Sequence, residues 1–164
     1  MTTAPAEVGV WAVEGRPRIF LQPGQLHVAS GPLAISTVLG SCVAVCLWDR
    51  ELGVGGMNHY LLPFHLHGPV DPWRYGAGAI DGLLAELERR GSWRARLRAK
   101  VFGGACVLEA FQGQARHLGE RNVTLARQRL GELGIAIDAE AVGGNRGRKV
   151  IFHTDDGSAW VKTL

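Results

Sequence analysis

The chain has 164 residues, of which 46% are hydrophobic and 20% are charged, and its formal net charge is +3. These values are typical of one globular domain, here predicted over residues 1–164, and they exclude a disordered chain. No apolar run approaches the length of a membrane span and the N-terminal residues lack a secretory signal, so we expect a soluble, cytoplasmic protein.

The first predicted elements are two strands that form a hairpin. Residues 43–48 are a continuous apolar run, which is typical of a strand buried on both faces. A second strand is predicted over residues 54–62, and the short connection indicates an antiparallel pair. Cys42 lies at the entrance of the first strand, and the pairing would bring His59 towards it. The loop length alone does not determine the register on which this proximity depends.

Two helices follow the hairpin. Between residues 71 and 91 the apolar side chains recur at helical spacing, and Gly91 provides a stop. A second helix is predicted from Asn122, a favourable N-cap residue, to Gly134. The single apolar stripe on the first helix predicts that it packs against a sheet.

Strands flank and follow these helices. Residues 100–102 and 135–142 are the predicted strands beside them, and residues 150–153 and 159–162 form a C-terminal hairpin around a turn at 155–157. Strands that alternate with helices and end in a hairpin predict an α/β (α+β) sandwich. In this fold class one or more mixed sheets are covered by the two main helices.

Cys42 and His59 form the candidate catalytic pair. A cysteine at a strand entrance is usually a small hydrophobic residue of the core. However, Gly40-Ser41 directly before it allows a tight turn that presents amide donors to an oxyanion, and a neutral imidazole accepts a thiol proton. These groups are suited to attack by the thiol on a carboxamide or ester carbonyl. The attack would form a thioester, which water would then hydrolyse.

A third side chain is expected to orient His59. Asn58 is adjacent in sequence but points to the opposite face of the strand. The hydroxyl groups of Ser36 and Thr37, just upstream of Cys42, are therefore the candidates, and the residues alone leave the choice between them open.

A metal site is the competing interpretation of the same segment. Cys46 lies on the same strand face as Cys42, and His59, His65 and His67 are nearby in sequence. Zinc ligands favour other spacings than the one-residue separation of these histidines, and the surroundings of Cys46 are apolar. We therefore predict no metal ligands, with Cys46 and Cys106 as core or near-core thiols.

Two further segments have a binding and a structural interpretation. The basic run at residues 89–100 contains Trp93 and would suit nucleic acid, but it follows a helix C-terminus, where cations are favoured. We interpret it as a solvated connection, with contact to an acidic protein as an equal alternative. The glycine-rich segment 143–148 lacks the Lys-Ser/Thr of a phosphate-binding loop, so we predict a tight turn that presents Arg146 and Arg148.

Five segments together resemble the chemoreceptor glutamine deamidase family, CheD. They occur in the family's order and at its spacing, and they extend over nearly the whole chain. The segments are VLGSCVAVCL at 38–47, GGMNHYLLP at 55–63, FGGA at 102–105, GERNV at 119–123 and GGNRGR at 143–148. The resemblance implies hydrolysis of particular glutamine side chains of chemoreceptors to glutamate, with release of ammonia.

The resemblance also implies roles for the candidate residues. Cys42 is the nucleophile and His59 its partner, both at matching motif positions. The family pattern has a threonine six residues before the cysteine, where this chain has Ser36, and Thr37 is the alternative hydroxyl. The resemblance further implies a cytoplasmic enzyme without a cofactor, with a sheet and helix sandwich related to bacterial toxin deamidases.

The implied substrate is the cytoplasmic helices of chemoreceptors, and the phosphatase CheC is the implied partner. Neither nucleic-acid binding nor membrane insertion is expected. The alternative functions are a non-catalytic binding module for a chemotaxis phosphatase or receptor, and a thiol methylesterase that acts on receptor glutamates.

Overall fold

Two β-sheets and two α-helices form three layers in the structure, a computed structural model that describes residues 15–65, 71–114 and 116–164. Short 3-10 helices at Pro72–Arg74, Arg94–Arg96 and Glu109–Phe111 connect the main elements. The strands are β1 (Arg18–Phe20), β2 (Leu26–Ser30), β3 (Ala34–Leu39), β4 (Val43–Asp49), β5 (Val54–Asn58), β6 (Arg98–Gly103), β7 (Ala136–Val142), β8 (Arg148–His153) and β9 (Ala159–Thr163). The helices are α1 (Gly76–Arg89) and α2 (Leu118–Leu133).

Both sheets are mixed. The larger sheet has the strand order β2-β5-β4-β6-β7, and the smaller sheet has the order β1-β3-β8-β9. Every neighbouring pair is antiparallel except β6 with β7 and β1 with β3. The predicted α+β sandwich with mixed sheets, two main helices and a C-terminal hairpin is therefore confirmed.

Strand β4 lies at the centre of the larger sheet, and all seven of its residues are buried. Val43 and Leu47 face the helices, whereas Ala44 and Cys46 face the smaller sheet. Because both faces of the strand are covered, an apolar run takes the place of the usual alternation. Burial also raises the pKa of the Cys46 thiol far above its usual value, which agrees with the predicted role of Cys46 in the core.

The first three strands have no counterpart among the predicted elements. They are short, and Pro23-Gly24 and Gly31-Pro32 interrupt the segment, so no long periodic pattern marks them. Strand β5 is also shorter than predicted, since the regular ladder ends at Asn58 and Tyr60 forms only an isolated bridge with Val43. No helix in the described part of the chain is long and apolar enough to cross a membrane.

Helix α2 begins one turn earlier than predicted. Its N-cap is His117, whose Nδ1 accepts a hydrogen bond of 3.2 Å from the backbone N–H of Glu120. The predicted N-cap, Asn122, lies inside the helix, so that prediction is wrong. Its side chain donates to carbonyl groups outside the helix instead of capping it. The predicted stop at Gly134 is confirmed, with a left-handed φ of 71°.

Candidate active site

Cys42 and His59 lie on the same face of the larger sheet. The antiparallel register of β4 and β5 continues to a bridge between Val43 and Tyr60. His59 is therefore opposite Ala44, and Cys42 lies two residues from Ala44 on the same face. Diagonal neighbours of this kind are about 7–8 Å apart, within reach of long side chains. The face they share is the one that packs against the smaller sheet.

Thr37 contacts His59 from the smaller sheet. Its side chain is fully buried, and its Oγ1 lies 2.8 Å from Nδ1 of His59. The same hydroxyl donates to the carbonyl of Leu21 at 2.8 Å. A hydroxyl has one proton, and a carbonyl can only accept, so Nδ1 of His59 must carry the proton that Thr37 accepts. The contacts of Thr37 therefore select the Nδ1–H tautomer.

The opposite nitrogen of the imidazole is left with its lone pair. Nε2 of His59 is buried and has no hydrogen-bond partner among the residues that the structure describes. Burial lowers the pKa of His59 to about 4, because the charged form is poorly solvated there. The ring is therefore neutral near pH 7, and Nε2 is free to act as a base.

Ser36 points away from this pair. Successive residues of a strand face opposite sides, so only one of Ser36 and Thr37 can face the sheet that carries His59. The hydroxyl of Ser36 donates to the carbonyl of Ile19 at 3.3 Å. Of the two candidate hydroxyls, the structure brings that of Thr37 to the imidazole and directs that of Ser36 to the opposite face of β3.

The thiol of Cys42 lies in the loop between β3 and β4 and is half-buried. Burial raises its pKa, and its own backbone N–H offsets part of that rise. The thiol and the imidazole are thus both neutral at pH 7. A nucleophilic thiolate then requires proton transfer to His59 and does not exist beforehand as an ion pair.

The backbone around Cys42 has its carbonyls bound and its amides free. The carbonyl of Gly40 accepts from the N–H of Ala105, and that of Cys42 accepts from the N–H of Gly104, both at 2.9 Å. In the described ranges no backbone carbonyl accepts from the N–H groups of Ser41 and Cys42. Two such amides beside a candidate nucleophile are suited to stabilise an oxyanion.

Glycines allow the β6 end to approach this loop. Gly103 has a φ of 105°, and a Cβ added there would lie 2.2 Å from the carbonyl oxygen of Cys42. No side chain fits at that distance, so the approach requires glycine. The turn that follows β6 therefore forms one wall of the Cys42 loop.

Two side chains that contact this site are not among the candidate site residues predicted from the sequence. Nδ2 of Asn122 donates to the carbonyls of Ser41 and Leu61, each at 2.9 Å. The guanidinium of Arg148 donates to the carbonyl of Gly103 at 3.2 Å and to two other carbonyls at the end of β7. Arg148 is thus turned inward and is not presented by the predicted turn. Both residues lie in segments that resemble the family, which is the signal that could have identified them.

An apolar cavity of about 380 Å³ adjoins the Cys42 loop. Its lining includes Ser41, Leu108, Phe111 and Leu118, and the side chains of Leu108 and Phe111 are exposed. The thiol therefore lies next to a surface that is open to solvent and in part apolar.

The segment around His65 is only partly described. The ring of His65 packs edge-on against Tyr75 at 5.2 Å, whereas His67 lies outside the described residues. Over the ranges 15–65, 71–114 and 116–164, no group of three or more His, Cys, Asp or Glu side chains is arranged to hold a metal ion.

Comparison with known proteins gives matches over most of the chain. The family model described as CheD chemotactic sensory transduction matches residues 61–163. A protein of Anaeromyxobacter dehalogenans named "Probable chemoreceptor glutamine deamidase CheD 1" is 53% identical over 150 residues, which are 92% of this chain and 86% of the relative. A protein of the same name from Geobacter sulfurreducens is 41% identical over 160 residues, which are 93% of this chain and 80% of the relative.

Among solved structures, the hypothetical protein YfiH of Bacillus licheniformis matches with a TM-score of 0.46 and 17% identity. The match covers 71% of this chain and 49% of the length of YfiH.

Proposed function

The chain belongs to the CheD family, and we propose that it is a chemoreceptor glutamine deamidase, a hydrolase that converts glutamine side chains of chemoreceptors to glutamate and releases ammonia. The observation that carries the proposed mechanism is the Thr37–His59 contact, which leaves Nε2 of a neutral imidazole free on the face that Cys42 shares. We further propose that the enzyme is a single domain and acts in the cytoplasm.

The first half-reaction forms a thioester. Nε2 of His59 takes the proton of the Cys42 thiol, and the sulfur attacks the carboxamide carbon of the glutamine. The carbonyl oxygen becomes an oxyanion, for which the free N–H groups of Ser41 and Cys42 are the candidate donors. Collapse of the intermediate breaks the carbon–nitrogen bond, and the imidazolium returns its proton to the departing nitrogen, which leaves as ammonia.

The second half-reaction releases glutamate. His59 is neutral again and takes a proton from a water molecule that attacks the thioester carbon. The carbon–sulfur bond breaks and the sulfur recovers the proton from the imidazolium. The product is a carboxylic acid, which loses its proton to water and leaves a carboxylate on the receptor. In both steps the Thr37 hydroxyl accepts from Nδ1, so it stabilises the imidazolium and keeps the ring orientation.

A protein substrate suits the surface around the thiol. The target glutamine lies on a receptor helix, so the site must accept a broad surface and admit one carboxamide. Cys42 is half-buried in a surface loop, beside the cavity lined by Leu108 and Phe111. The reaction replaces a neutral side chain with an anion, and this change of charge on the receptor helix is the proposed signal.

CheC stays a prediction from the family resemblance. A nucleic-acid ligand is not part of the proposal, since Arg89, Arg96 and Arg98 of the basic segment each pair with an acidic side chain of this chain. Arginines that are already paired contribute less to phosphate binding than free ones.

Mass spectrometry of a receptor fragment tests the proposed function. The purified chain is incubated with the cytoplasmic fragment of a chemoreceptor from the same organism, and the glutamines that become glutamates are identified. Cys42→Ala is expected to abolish the conversion, because it removes the nucleophile. Cys46→Ala is the matched control, since it removes a buried thiol from the adjoining strand β4 and is expected to retain activity.

The alternatives give different products. A methylesterase would release methanol from methylated receptor and leave glutamines unchanged. A binding module would bind receptor or phosphatase equally well with and without the Cys42 thiol, and no ammonia would form. Unchanged glutamines in every receptor of the organism would overturn the proposal.

A further inference from the structure

We propose that Asn122 is a positioning residue that holds the Cys42 loop against the segment that carries His59. The inference rests on the proposed function, because it concerns the same thiol and imidazole. Asn122 is fully buried in the first turns of α2, and its side chain reaches both of these chain segments.

The two segments separate where Asn122 contacts them. The last backbone bridge joins Val43 to Tyr60, with hydrogen bonds of 3.1 and 3.0 Å. Beyond it the carbonyls of Ser41 and Leu61 each accept from Nδ2 of Asn122 at 2.9 Å. The side-chain amide thus continues the link between the strands at the level of Cys42, where the regular ladder has ended.

The orientation of the amide is determined by these contacts. Both protons of Nδ2 are donated to carbonyls, whereas Oδ1 is buried and has no partner in the described part of the chain. Rotation of the amide by 180° would place Oδ1 against two carbonyl oxygens. A buried acceptor without a donor costs free energy. The arrangement is therefore suboptimal for stability, and what it provides is a fixed spacing between two backbone segments.

Helix α2 is itself held in place at this point. A Cβ added to Gly119 would lie 2.3 Å from the carbonyl oxygen of Gly104, so the first turn of α2 packs directly on the turn after β6. The hydroxyl of Tyr60, adjacent to His59, donates to the backbone carbonyl of Asn122 at 2.6 Å. Asn122 is thus attached to a closely packed part of the fold, and the hydrogen bond from its amide holds Ser41 in a fixed position relative to that part.

Loss of this link would affect the chemical step more than substrate binding. Ser41 directly precedes Cys42, and Leu61 follows His59 by two residues. Without the amide, the loop can move relative to the imidazole while the solvent-exposed surface stays the same. Since a misplacement of about 1 Å can cost about 100-fold in rate, we expect kcat to fall about 10- to 100-fold with little change in KM.

The test compares Asn122→Asp with Ala126→Gly. Aspartate has the shape of asparagine but has no N–H to donate, whereas Ala126→Gly weakens the same helix one turn further on, away from the site. Two assays are run at a temperature where both variants are folded. One gives kcat and KM for receptor deamidation, and the other gives the pH dependence of Cys42 alkylation by iodoacetamide.

We expect Asn122→Asp to lose kcat while KM is retained, and its alkylation profile to move towards that of His59→Gln, in which no base assists the thiol. Ala126→Gly is expected to keep both the rate and the profile. If Asn122→Asp is too unstable, Asn122→Ala removes both donated hydrogen bonds without a new charge and gives the same comparison. Equal kcat values and alkylation profiles for the Asn122 variant and Ala126→Gly would overturn the proposal.

Alkylation needs no receptor, which separates the two proposals. If the wild-type chain deamidates no receptor but its alkylation profile depends on Asn122, the proposed function fails and the positioning role stands. If deamidation occurs and the profile and kcat are independent of Asn122, only the positioning role fails.

Discussion

The strongest test of the proposed mechanism is Thr37→Val, which removes one hydroxyl and nearly preserves the shape of the side chain. The hydroxyl accepts from Nδ1 of His59 and donates to the carbonyl of Leu21, so both buried groups lose their partner. A buried polar group left unsatisfied costs about 1–3 kcal/mol, so we expect the free energy of unfolding to fall by about 2–6 kcal/mol.

Catalysis is expected to fall for a related reason. A neutral hydrogen bond contributes about 1 kcal/mol, so its loss removes a roughly fivefold preference for the tautomer with Nε2 free. The ring also loses its fixed orientation, which adds a further decrease. We therefore expect kcat for ammonia release to fall about 10- to 100-fold at saturating receptor, with chemical denaturation measured on the same samples to show that the variant is folded.

Two variants make this experiment decisive. Thr37→Ser keeps the hydroxyl and is expected to retain most of the activity. Ser36→Ala removes the neighbouring hydroxyl, which donates to the carbonyl of Ile19 on the opposite face of β3, and is expected to change kcat by less than about threefold. The reasoning is refuted if Ser36→Ala lowers kcat and Thr37→Val does not.

Two further predictions concern stability. The pKa of His59 is about 4 in the folded chain and about 6.5 when unfolded, so between these values the unfolded state binds more protons and stability rises with pH. Urea denaturation should show that the free energy of unfolding falls by up to about 3 kcal/mol from pH 6.5 to pH 4, and this fall should be absent in His59→Gln. Equal pH dependence in the two proteins would contradict the lowered pKa of His59. Gly119→Ala should lower both Tm and kcat, because the added Cβ would lie 2.3 Å from the carbonyl oxygen of Gly104. Gly131→Ala, on the same helix with open space around it, should raise stability by up to about 1 kcal/mol, and an unchanged Tm in Gly119→Ala would show that α2 can shift freely.

The parts of the fold that depend on local pattern could be predicted from the sequence. The β4–β5 hairpin and the C-terminal hairpin follow from apolar runs and turn residues that are close in the chain. Strands β1 to β3 could not be predicted in this way, because their stability comes from pairing with distant strands and from burial between the two sheets. Short segments of this kind carry little periodic signal of their own.

The choice between Ser36 and Thr37 shows where counting along the chain fails. A shift of one residue reverses the face of a strand, and the count from Cys42 back to β3 passes through the irregular residues Gly40 and Ser41. The packing of β3 against the larger sheet, which orients Thr37, is a contact between segments 22 residues apart. The position in the family pattern therefore favours Ser36, whereas the side-chain geometry favours Thr37.

Asn122 and Arg148 had local interpretations, as a helix cap and as part of a turn, because asparagine and arginine commonly serve those roles. Their contacts are instead with distant backbone, 81 residues away for the bond from Asn122 to Ser41 and 45 for that from Arg148 to Gly103. A propensity describes what a residue does when its neighbours in sequence are its only partners. A propensity therefore does not predict hydrogen bonds to carbonyls that are distant in sequence and close only in the folded chain.

Three of the five segments that resemble the family have one structural role in common, because each binds a backbone carbonyl at or beside the Cys42 loop. The turn at Gly104 binds the carbonyl of Cys42, Asn122 binds that of Ser41, and Arg148 binds that of Gly103, which lies against Cys42. Each contact uses a carbonyl oxygen of the loop or of its wall, and no backbone carbonyl of the described residues accepts from the amides of Ser41 and Cys42. Because a loop held through its carbonyls presents its N–H groups in a fixed direction, the same contacts that position the thiol also prepare the donors that an oxyanion requires.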